Sequence, residues 1–301
     1  MKIGLIGIGD IAQKAYLPII TGIPDLDIVM ASSNPDTRAF LARTYPKATV
    51  VETVDQLIRA DIRAGFIHSA TEAHVVLAKQ FLEAGIPVYV DKPVAYSYPE
   101  VEALFRLAKR NDLTLRTGFN RRFIPPIKRM LEVERPSTII YQKNRYQLPG
   151  ETRVFVFDDY IHVLDSIRFL LRAEPEEVRI HGVYRNDLLH SLSVQLTTTD
   201  AMAIGIMNRE SGRTEERVEV IAPGIKYELS ELSDLRIMQD NRIEQVRMDD
   251  WLSLGVRRGF SELVTSFLDD VKAGRGYMIE DEESLKTHRL AERIVQELNK
   301  Q

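Results

Sequence analysis

The sequence predicts an α/β domain with a doubly wound parallel sheet, followed by an α+β domain whose open sheet is mostly antiparallel. Up to about residue 120, short apolar runs alternate with amphipathic, helix-length segments, as in parallel strands joined by helices. Between residues 178 and 248, strand patterns follow one another with turn signals and without helices. That arrangement is typical of an antiparallel sheet. We therefore predict two domains, at residues 1–120 and 121–301.

Composition excludes several classes of function. A net charge of −4 gives no basic surface for nucleic acid, and the absence of cysteine excludes disulfides and thiolate chemistry. No apolar run approaches the roughly 20 residues of a membrane span. Glycines interrupt the N-terminal apolar run, so we interpret it as a strand rather than a signal peptide. The expectation is a cytoplasmic protein with a small-molecule substrate, and with no nucleic-acid or membrane partner.

The first predicted strand, residues 2–6, runs directly into a G-x-G-x-x-A motif that begins at Gly7. Gly7 permits a sharp turn, Gly9 lets a pyrophosphate approach the backbone, and Ala12 lets a helix pack closely on the strand. The N-terminus of that helix offers unpaired N–H groups to phosphates. An ordinary glycine turn is the alternative, but the position after the first strand favours a Rossmann dinucleotide site. Its predicted cofactor-binding residues are Gly7, Ile8, Gly9, Asp10 and Ile11.

The residues after the second predicted strand, 26–31, bear on the choice between NAD and NADP. An NAD site carries an Asp or Glu at the end of this strand, where it binds the ribose hydroxyls. Ser33 stands in that position, with Ser32, Asn34 and Arg38 around it. A carboxylate would repel a 2′-phosphate by roughly 4 kcal/mol at close range and intermediate dielectric. These four residues therefore favour NADP over NAD; the alternative is that Asn34 only caps a helix and Arg38 is solvated.

Three further strands are predicted at residues 63–69, 86–90 and 113–117, each followed by polar residues. Ligands of doubly wound sheets bind at the carboxyl ends of the strands, so we expect these residues on the same rim as the glycine turn. The rim residues predicted to bind cofactor are Ser69, Thr71, His74, Asp91 and Lys92, and Asn120 is predicted to bind substrate.

Lys92 lies between an apolar strand and a proline, so a stiff backbone positions its side chain. A partly buried lysine beside a charged nicotinamide ring loses its proton more easily, which suits proton transfer near neutral pH. The alternative is a solvated lysine at a strand end. His74 faces either the cofactor or the solvent, and His68, inside a strand, is predicted to be a core or rim histidine.

In the second domain, Asp158, His162 and Asp165 fall on one side of a predicted helix, opposite Tyr160 and Leu164. We expect Asp158 to be the helix N-cap. The polar stripe is either functional or solvated. The Asp-x-x-x-His spacing also suits a metal, but no third ligand is spaced with it, so no metal is predicted.

Basic residues are frequent near the start of the second domain. They form either the binding site of an anionic substrate, such as a uronate or a phosphorylated sugar, or a solvated basic surface, which we favour. These residues are Arg121, Arg122, Lys143, Arg145 and Arg153.

A set of motifs follows the first glycine turn in a recognisable order. They are Thr71-Glu72-Ala73-His74, Leu82-Glu83-Ala84-Gly85, Asp91-Lys92-Pro93, Gly118-Phe119-Asn120-Arg121-Arg122-Phe123 and Asp158-x-x-x-His162-x-x-Asp165. With these motifs the chain resembles the Gfo/Idh/MocA oxidoreductases over essentially its whole length. The amino-acid sequence around His162, with Arg257-Arg258-Gly259-Phe260 downstream, most resembles that of the MviM-like branch.

The resemblance implies a nicotinamide-dependent oxidoreductase that acts on CH–OH groups of sugars, cyclitols or related compounds. Lys92, Asp158 and His162 match the catalytic positions of the family, and Arg122 and Tyr160 join Asn120 as predicted substrate-binding residues. Lys92 and His162 are then expected to converge on the carbon that exchanges hydride. The resemblance also implies a cis peptide before Pro93 and a homodimer formed through the exposed face of the C-terminal sheet.

Two departures from the family pattern raise alternatives. Asp91 replaces the usual Glu, and the glycine pair common before the catalytic helix is replaced by Val154-Phe155-Val156-Phe157. Tyr160 also stands where glycine is common, and such bulk is expected to narrow the pocket. The alternatives are therefore a catalytically silent NADP-binding regulatory protein of the same fold, or an enzyme for a non-sugar carbonyl compound.

Overall fold

A computed structural model describes residues 1–300, which form two compact units. The first unit comprises residues 1–119 and 260–286, and the second comprises residues 120–259 and 287–300. The break after Phe119 lies next to the boundary predicted from the sequence. The sequence places residues 260–286 in the second domain, whereas in the structure they group with the first unit.

The first unit is built on six parallel strands, as its alternating sequence pattern predicts. The strands are β1 (Lys2–Ile6), β2 (Asp27–Ala31), β3 (Thr49–Val51), β4 (Ala64–Ile67), β5 (Val88–Val90) and β6 (Leu115–Thr117). Their order in the sheet is β3-β2-β1-β4-β5-β6. All four residues of β4 are buried, because helices cover both faces of a parallel sheet. The short strand β3 has only three residues and was not predicted from the sequence.

The helices between these strands begin and end at recognisable signals. They are α1 (Leu17–Ile20), which continues a π-helical turn at Ala12–Tyr16, α2 (Pro35–Thr44), α3 (Val54–Arg59), α4 (Thr71–Glu83) and α5 (Tyr98–Arg110). At α2 the Asn34 side chain accepts hydrogen bonds from two backbone N–H groups, and at α3 Thr53 and Gln56 form a capping box. Such caps fix where each helix leaves the rim of the sheet.

The second unit is an open eight-stranded sheet. Its strands are β7 (Thr138–Tyr146), β8 (Glu177–Arg185), β9 (Leu188–Thr197), β10 (Met202–Ser211), β11 (Glu215–Ala222), β12 (Ile225–Ser230), β13 (Asp234–Gln239) and β14 (Arg242–Arg247). The order is β14-β13-β12-β11-β7-β10-β9-β8. Among the described strands of this second sheet, only the β7–β10 pair is parallel. The mostly antiparallel sheet after a Rossmann sheet confirms the predicted fold class.

The helices of the second unit lie before the long run of strands and after it. They are α6 (Pro125–Met130), α7 (Thr152–Val154), α8 (Ile161–Leu171) and α9 (Leu254–Arg257), with a 3-10 turn at Asn120–Phe123 and a π-helical turn at Phe155–Tyr160. In α8 ten of the eleven residues are buried, so this helix occupies the core of the unit. It packs on β7 and β10.

Two helices close the chain, as predicted. They are α10 (Phe260–Lys272) and α11 (Ile279–Leu298). Within residues 1–300, no helix combines the length and the apolar character needed to cross a membrane. The same residues contain no group of three or more His, Cys, Asp or Glu side chains arranged to hold a metal ion.

Candidate active site

The glycine turn after β1 has one glycine fixed by packing and one that faces open space. Gly7 has φ +87°, and a Cβ there would lie 2.1 Å from the backbone nitrogen of Ser69. Only glycine therefore fits position 7. A Cβ on Gly9 would meet nothing within 4 Å. The backbone at Gly9 is open to a close ligand, as a dinucleotide pyrophosphate requires.

The helical segment after Gly9 leaves its first N–H groups available. The first hydrogen bond of the segment runs from Gln13 N to Gly9 O at 3.1 Å, and the π-helical turn has no side-chain cap. Asp10 is exposed and pairs with Lys14 at 2.8 Å. Ile11 is also exposed. Uncapped N–H groups beside an open glycine fit a phosphate-bearing cofactor.

Arg38 lies over the end of β2. Its Nη1 donates to the carbonyl oxygens of Ser32 and Ser33, both at 2.9 Å, and only a quarter of its side chain is exposed. The solvated alternative for Arg38 is therefore wrong. Asn34 does cap α2, and Ser33 is exposed at the end of the strand. No carboxylate follows β2 directly; Asp36 donates its backbone N–H to Asn34 at 2.8 Å.

The two histidines near the rim of the first unit are both buried. His68 stacks on Tyr16 with ring centroids 3.9 Å apart, and burial lowers its pKa to about 3, as expected for a neutral core histidine. His74 is 1% exposed, and its ring nitrogens lie 2.9 Å from the carbonyl oxygens of Pro93 and Ser69. These contacts exclude a solvent-facing His74. Through its ring, His74 connects α4 to the segment after β5. Thr71, the first residue of α4, is half-buried.

Asp91 and Lys92 follow β5 on the same rim. Asp91 Oδ1 accepts the Lys92 N–H at 2.9 Å, and the Tyr16 hydroxyl donates to it at 3.4 Å. Burial raises the pKa of Asp91, although the charge of Lys92 acts against that rise. A Cβ on Gly118 would lie 2.8 Å from Asp91 Oδ1, so the glycine beside it makes room for this carboxylate. The predicted cis peptide between Lys92 and Pro93 is present.

In the second unit the three residues of the predicted polar stripe differ in exposure. Asp158 is exposed, whereas His162 and Asp165 are buried. The N-cap prediction for Asp158 is wrong, because the π-helical turn already begins at Phe155 with Val154 as its N-cap. A π turn changes the number of residues per turn, so the 100° spacing that grouped Asp158 with His162 does not hold there. The solvated alternative for the stripe is wrong at His162 and Asp165.

The next residue, Asp159, is the carboxylate that points inward. It lies 2.6 Å from Lys143 Nζ, accepts two hydrogen bonds of 2.8 Å from Arg145, and accepts one of 3.1 Å from Arg209. Burial raises the pKa of Asp159, but the hydrogen bond from Arg145 and the charge of Lys143 outweigh it and hold the pKa well below its usual range. Asp159 therefore stays ionised and binds three cations.

A second buried carboxylate, Glu216 on β11, binds Arg121. Arg121 Nη2 and Nε donate to it at 2.7 and 3.2 Å, and the Tyr141 hydroxyl donates at 2.7 Å. The remaining arginine nitrogen, Nη1, lies 3.1 Å from His162 Nε2. Burial raises the pKa of Glu216, but the charges of Arg121 and Lys143 lower it by more than burial raises it, so the carboxylate stays charged. His162 is thus joined through Arg121 to a buried ion-pair network.

The same network explains the position of Lys143. Its Nζ lies 3.7 Å from Glu216 Oε1, in addition to its contact with Asp159, and the residue is 1% exposed. Burial lowers the pKa of Lys143 to about 8, and the charge of Arg121 acts in the same direction. Tyr141, Lys143 and Arg145 alternate along β7, so all three side chains project from one face of the strand.

The predicted substrate-binding residues are held differently from one another. Asn120 is buried and donates from Nδ2 to the Arg258 carbonyl at 2.8 Å. Arg122 makes a two-pronged ion pair with Asp165, with Nε 2.8 Å from Oδ2. Tyr160 is fully buried and donates to the Gly205 carbonyl at 2.7 Å. The structure therefore does not bring Tyr160 to an accessible surface.

The bulk of Tyr160 has a local explanation. A Cβ on Gly205 would lie 2.8 Å from the Tyr160 hydroxyl, so glycine on β10 makes space for that ring. The Tyr160 ring packs into the core of the second unit. The expectation that Tyr160 narrows the pocket is therefore not supported.

All five basic residues that suggested either an anionic substrate or a solvated surface are ion-paired. The pairs are Arg121–Glu216, Arg122–Asp165, Lys143–Asp159, Arg145–Asp159 and Arg153–Glu292. None of the five is a freely solvated surface residue. Sequence reasoning missed four members of the network: Tyr141, Asp159, Arg209 and Glu216. The alternation on β7 is the signal for Tyr141; the partners on β10 and β11 have no local signal.

Comparisons with known proteins match both units. The Gfo/Idh/MocA model, described as an oxidoreductase family with an NAD-binding Rossmann fold, matches residues 1–119. A model of the YceM-like C-terminal domain matches residues 127–240. YceM of Salmonella typhimurium is 28% identical over 288 residues, which is 90% of each chain.

Two solved structures are similar over nearly the full length. The MviM dehydrogenase of Clostridium difficile is 29% identical with a TM-score of 0.93 and covers 99% of both chains, in agreement with the predicted MviM-like resemblance. A Gfo/Idh/MocA family oxidoreductase from Vibrio cholerae is 35% identical with a TM-score of 0.95, over 100% of this chain and 98% of that one. With the motifs and both folds in place, this chain belongs to the Gfo/Idh/MocA family of oxidoreductases.

Proposed function

We propose that this protein transfers hydride between NADP(H) and a carbinol carbon of a sugar, cyclitol or related small molecule. The observation that carries the proposal is the environment of His162. This residue matches the catalytic histidine of the family, and it lies in a buried polar network with Nε2 toward a hydrogen-bond donor. A histidine kept only for packing needs no such donor, whereas His68 shows what a packing histidine looks like in this chain.

The open glycine turn supports the cofactor assignment. When bound, the nicotinamide dinucleotide supplies or accepts the hydride. Gly7, Ile8, Gly9, Asp10 and Ile11 would hold its pyrophosphate, and the rim residues Ser69, Thr71, His74, Asp91 and Lys92 would line the rest of its site. His74 would contribute to that lining by fixing the backbone, since its two ring nitrogens lie 2.9 Å from the carbonyl oxygens of Pro93 and Ser69.

NADP is the proposed form of the cofactor, and NAD is less favoured. Arg38 is held against the end of β2 by two carbonyl oxygens, which places a fixed positive charge beside Ser32 and Ser33. Asn34 is committed to capping α2, so its amide orients the turn. Arg38 also contacts a carboxylate, but that contact is long, with Nη2 4.0 Å from Glu52 Oε1. A cation held mainly by carbonyl oxygens at the strand end suits a 2′-phosphate.

The residues of the chain have distinct proposed roles in the reaction. His162 moves the proton of the substrate hydroxyl, and Lys92 hydrogen-bonds the reacting oxygen and stabilises charge on it. Asp158, which is exposed, orients the substrate or His162. Asn120 and Arg122 shape the substrate site through their bonds to Arg258 and Asp165. Tyr160 supports the histidine-bearing helix from the core.

The substrate class rests on the names of more distant relatives. An inositol 2-dehydrogenase of Rhizobium meliloti is 27% identical over 242 residues. A UDP-N-acetylglucosamine 3-dehydrogenase of Acidithiobacillus ferrooxidans is 28% identical over 193 residues. Because the five basic residues near the site are ion-paired, we favour an uncharged polyol over an anionic sugar. Equal or higher rates on uronates than on neutral sugars would contradict that preference.

One experiment separates the enzyme from its alternative. NADPH and NADH are titrated against the protein, and the saturated protein is then assayed for turnover on sugars, cyclitols and non-sugar ketones. The proposal expects NADPH to bind more tightly and at least one polyol or its ketone to turn over. Tight binding without turnover on any compound would favour the regulatory protein.

A homodimer in the cytoplasm remains part of the proposal. On β10, Met202, Ile204 and Ile206 are half-buried and alternate with buried residues, so they form an apolar stripe on the outward face of the sheet. Such a stripe supports association of two copies through that face. Light scattering over a range of concentrations tests it, and a monomer at all concentrations would contradict it.

A further inference from the structure

The contact between Arg121 and His162 determines which nitrogen of the imidazole carries the proton. We infer that Arg121 is a positioning residue that holds His162 as a neutral imidazole, with the proton on Nδ1 and the lone pair on Nε2. The inference deepens the proposed function, because it says how the proposed proton-transfer residue is prepared. It can be tested without any substrate.

The first step concerns donors and acceptors. Arg121 Nη1 lies 3.1 Å from His162 Nε2. A guanidinium group has N–H donors and no acceptor, and it is not deprotonated in proteins. A hydrogen bond across this contact therefore requires a lone pair on Nε2. In a neutral imidazole the proton then lies on Nδ1.

The second step is that Arg121 is itself held in place. Two of its nitrogens donate to Glu216, and Nη1 also donates to Asn120 Oδ1 at 3.1 Å. The amide of Asn120 is oriented by its bond to the Arg258 carbonyl at 2.8 Å. Burial and the charge of Glu216 raise the pKa of Tyr141, so its hydroxyl remains a donor to that carboxylate. The guanidinium group is thereby presented to His162 in one orientation.

The third step concerns charge. A second proton on His162 would have to sit on Nε2, the atom that faces Arg121, so it would break the hydrogen bond and place two cations side by side. Lys143, whose Nζ lies 3.7 Å from the same Glu216 oxygen that binds Arg121 Nη2, adds another positive charge to the cluster. The carboxylates of Asp159 and Glu216 are already bound by four cationic side chains between them. The network therefore favours the neutral imidazole.

The consequence for the reaction is a prepared proton acceptor. In the proposed oxidation, the substrate hydroxyl takes the place of the Arg121 N–H as the donor to Nε2. Nε2 would then accept the proton of the substrate hydroxyl, and the oxidised cofactor, when bound, would take up the hydride from the carbinol carbon. In the substrate-free protein, Arg121 donates a hydrogen bond to the Nε2 lone pair and so holds the imidazole ring in its orientation.

The test is a nitrogen-15 NMR spectrum of the imidazoles of the substrate-free, full-length protein near pH 7.5. The His162 signals are identified by their loss in His162→Gln. The inference expects a protonated Nδ1 and an unprotonated Nε2, which is the opposite of the tautomer that free histidine prefers. A protonated Nε2, or an imidazole protonated on both nitrogens, would overturn it.

Variants assign the effect to Arg121. Arg121→Met is expected to move His162 toward the Nε2–H tautomer or toward the doubly protonated form, whereas Arg121→Lys keeps a donor and retains the Nδ1–H pattern. Arg179→Met is the matched control, because Arg179 is an exposed arginine on β8 paired with Glu177. An unchanged His162 spectrum in Arg121→Met would overturn the role of Arg121.

The outcome separates from that of the proposed function. If Arg121→Met does not fold, the wild-type spectrum alone still decides the tautomer. If the tautomer is as expected but no substrate turns over, the inference about Arg121 stands and the enzymatic proposal fails. If turnover occurs with the other tautomer, the inference fails and the enzymatic proposal stands.

Discussion

The rim of the first unit and the histidine-bearing face of the second unit use polar groups in opposite ways. On the rim, side chains are fixed mainly by backbone atoms: Arg38 and His74 each bond to two carbonyl oxygens. In the second unit, Asp159 and Glu216 bind four cationic side chains from three separate segments. The rim therefore depends on chain geometry, and the second site depends on balanced buried charge.

The difference matters for function, because the two regions fail for different reasons. Where side chains are held by backbone atoms, we expect the rim to tolerate substitutions that change charge but not substitutions that change the backbone conformation. A buried ion-pair network tolerates little change of charge, since removal of one partner leaves the other unpaired. Five predictions follow from this contrast, from the largest expected effect to the smallest.

The largest effect is expected at the two side chains with proposed catalytic roles, Lys92 and His162. Lys92→Ala and His162→Ala should each lower turnover by about 10²–10⁴-fold if they serve general acid–base catalysis. NADPH affinity should change little in His162→Ala. Steady-state kinetics on a substrate found in the panel measures both. Unchanged turnover in both variants would refute the catalytic assignment.

The charge network is tested by Glu216→Gln. This change leaves Arg121 without its carboxylate, so we expect a loss of about 3–5 kcal/mol in the free energy of unfolding. Glu177→Gln is the matched control, because Glu177 forms an exposed pair with Arg179 and should lose far less stability. Urea unfolding measures both, and equal losses would show that the network is not special.

The backbone dependence of the rim is tested by two alanine substitutions. Gly7→Ala should destabilise the protein by about 3 kcal/mol or more, because it combines a positive φ with a Cβ 2.1 Å from a backbone atom. Gly9→Ala should leave stability unchanged, since nothing lies within 4 Å of the added methyl group.

The same pair separates folding from binding. NADPH affinity should fall about tenfold in Gly9→Ala, because the methyl group occupies the space where the pyrophosphate approaches. Gly212→Ala also has nothing within 4 Å of its Cβ and no positive φ, and it lies in the second unit, so it controls for the loss of a glycine as such. Normal NADPH binding by Gly9→Ala would argue against the cofactor site.

Lys143 gives a pH dependence with a definite sign. Its pKa is about 8 in the folded protein, below the ordinary value of 10.5, so the unfolded chain holds this proton more tightly between those pH values. In this window Lys143 is neutral in the folded protein and still protonated in the unfolded chain. As the pH rises, the unfolded chain loses the advantage of binding this proton. The contribution of Lys143 to the free energy of unfolding therefore rises by up to about 3 kcal/mol.

The comparison that isolates this contribution is wild type against Lys143→Met. The difference in unfolding free energy should be constant below about pH 8 and should shift in favour of wild type up to about pH 10.5. A difference that stays flat across this window would show that Lys143 has an ordinary pKa.

The smallest effect is expected at the end of β2. Ser33→Asp places a carboxylate at an exposed position beside Arg38, where a charge pair is worth about 1 kcal/mol in water. The ratio of NADPH to NADH affinity should therefore fall about fivefold. An unchanged ratio in titrations with both cofactors would contradict the placement of the 2′-phosphate.

The contrast also explains what the sequence could reveal. The sharp turn at Gly7 was predicted from a few neighbouring residues, and the Asn34 cap was recognised from them as an alternative to a cofactor role. The cis peptide before Pro93 was implied by the family resemblance, and the structure confirms it. Arg38 was left open between solvent and cofactor, and only the fold shows the two carbonyl oxygens that hold it. Local motifs thus describe the rim well.

The second site was predicted less completely. The inward carboxylate is Asp159 rather than Asp158, because a π-helical turn breaks the spacing on which the helical wheel rests. Glu216 binds Arg121 across 95 residues of sequence, and no local pattern indicates that pairing. His162 itself was identified through the family resemblance, whereas its partner Arg121 emerged only from the structure.

The most direct test of the enzymatic account follows a labelled hydride. The protein is incubated with NADPH that carries deuterium at C4, in both stereochemical forms, and with ketones derived from sugars and cyclitols. The account predicts one deuterium on the carbinol carbon of a product with wild type and its near absence with His162→Ala. Bound NADPH with no deuterium in any product would contradict the account and favour a nucleotide-binding regulator.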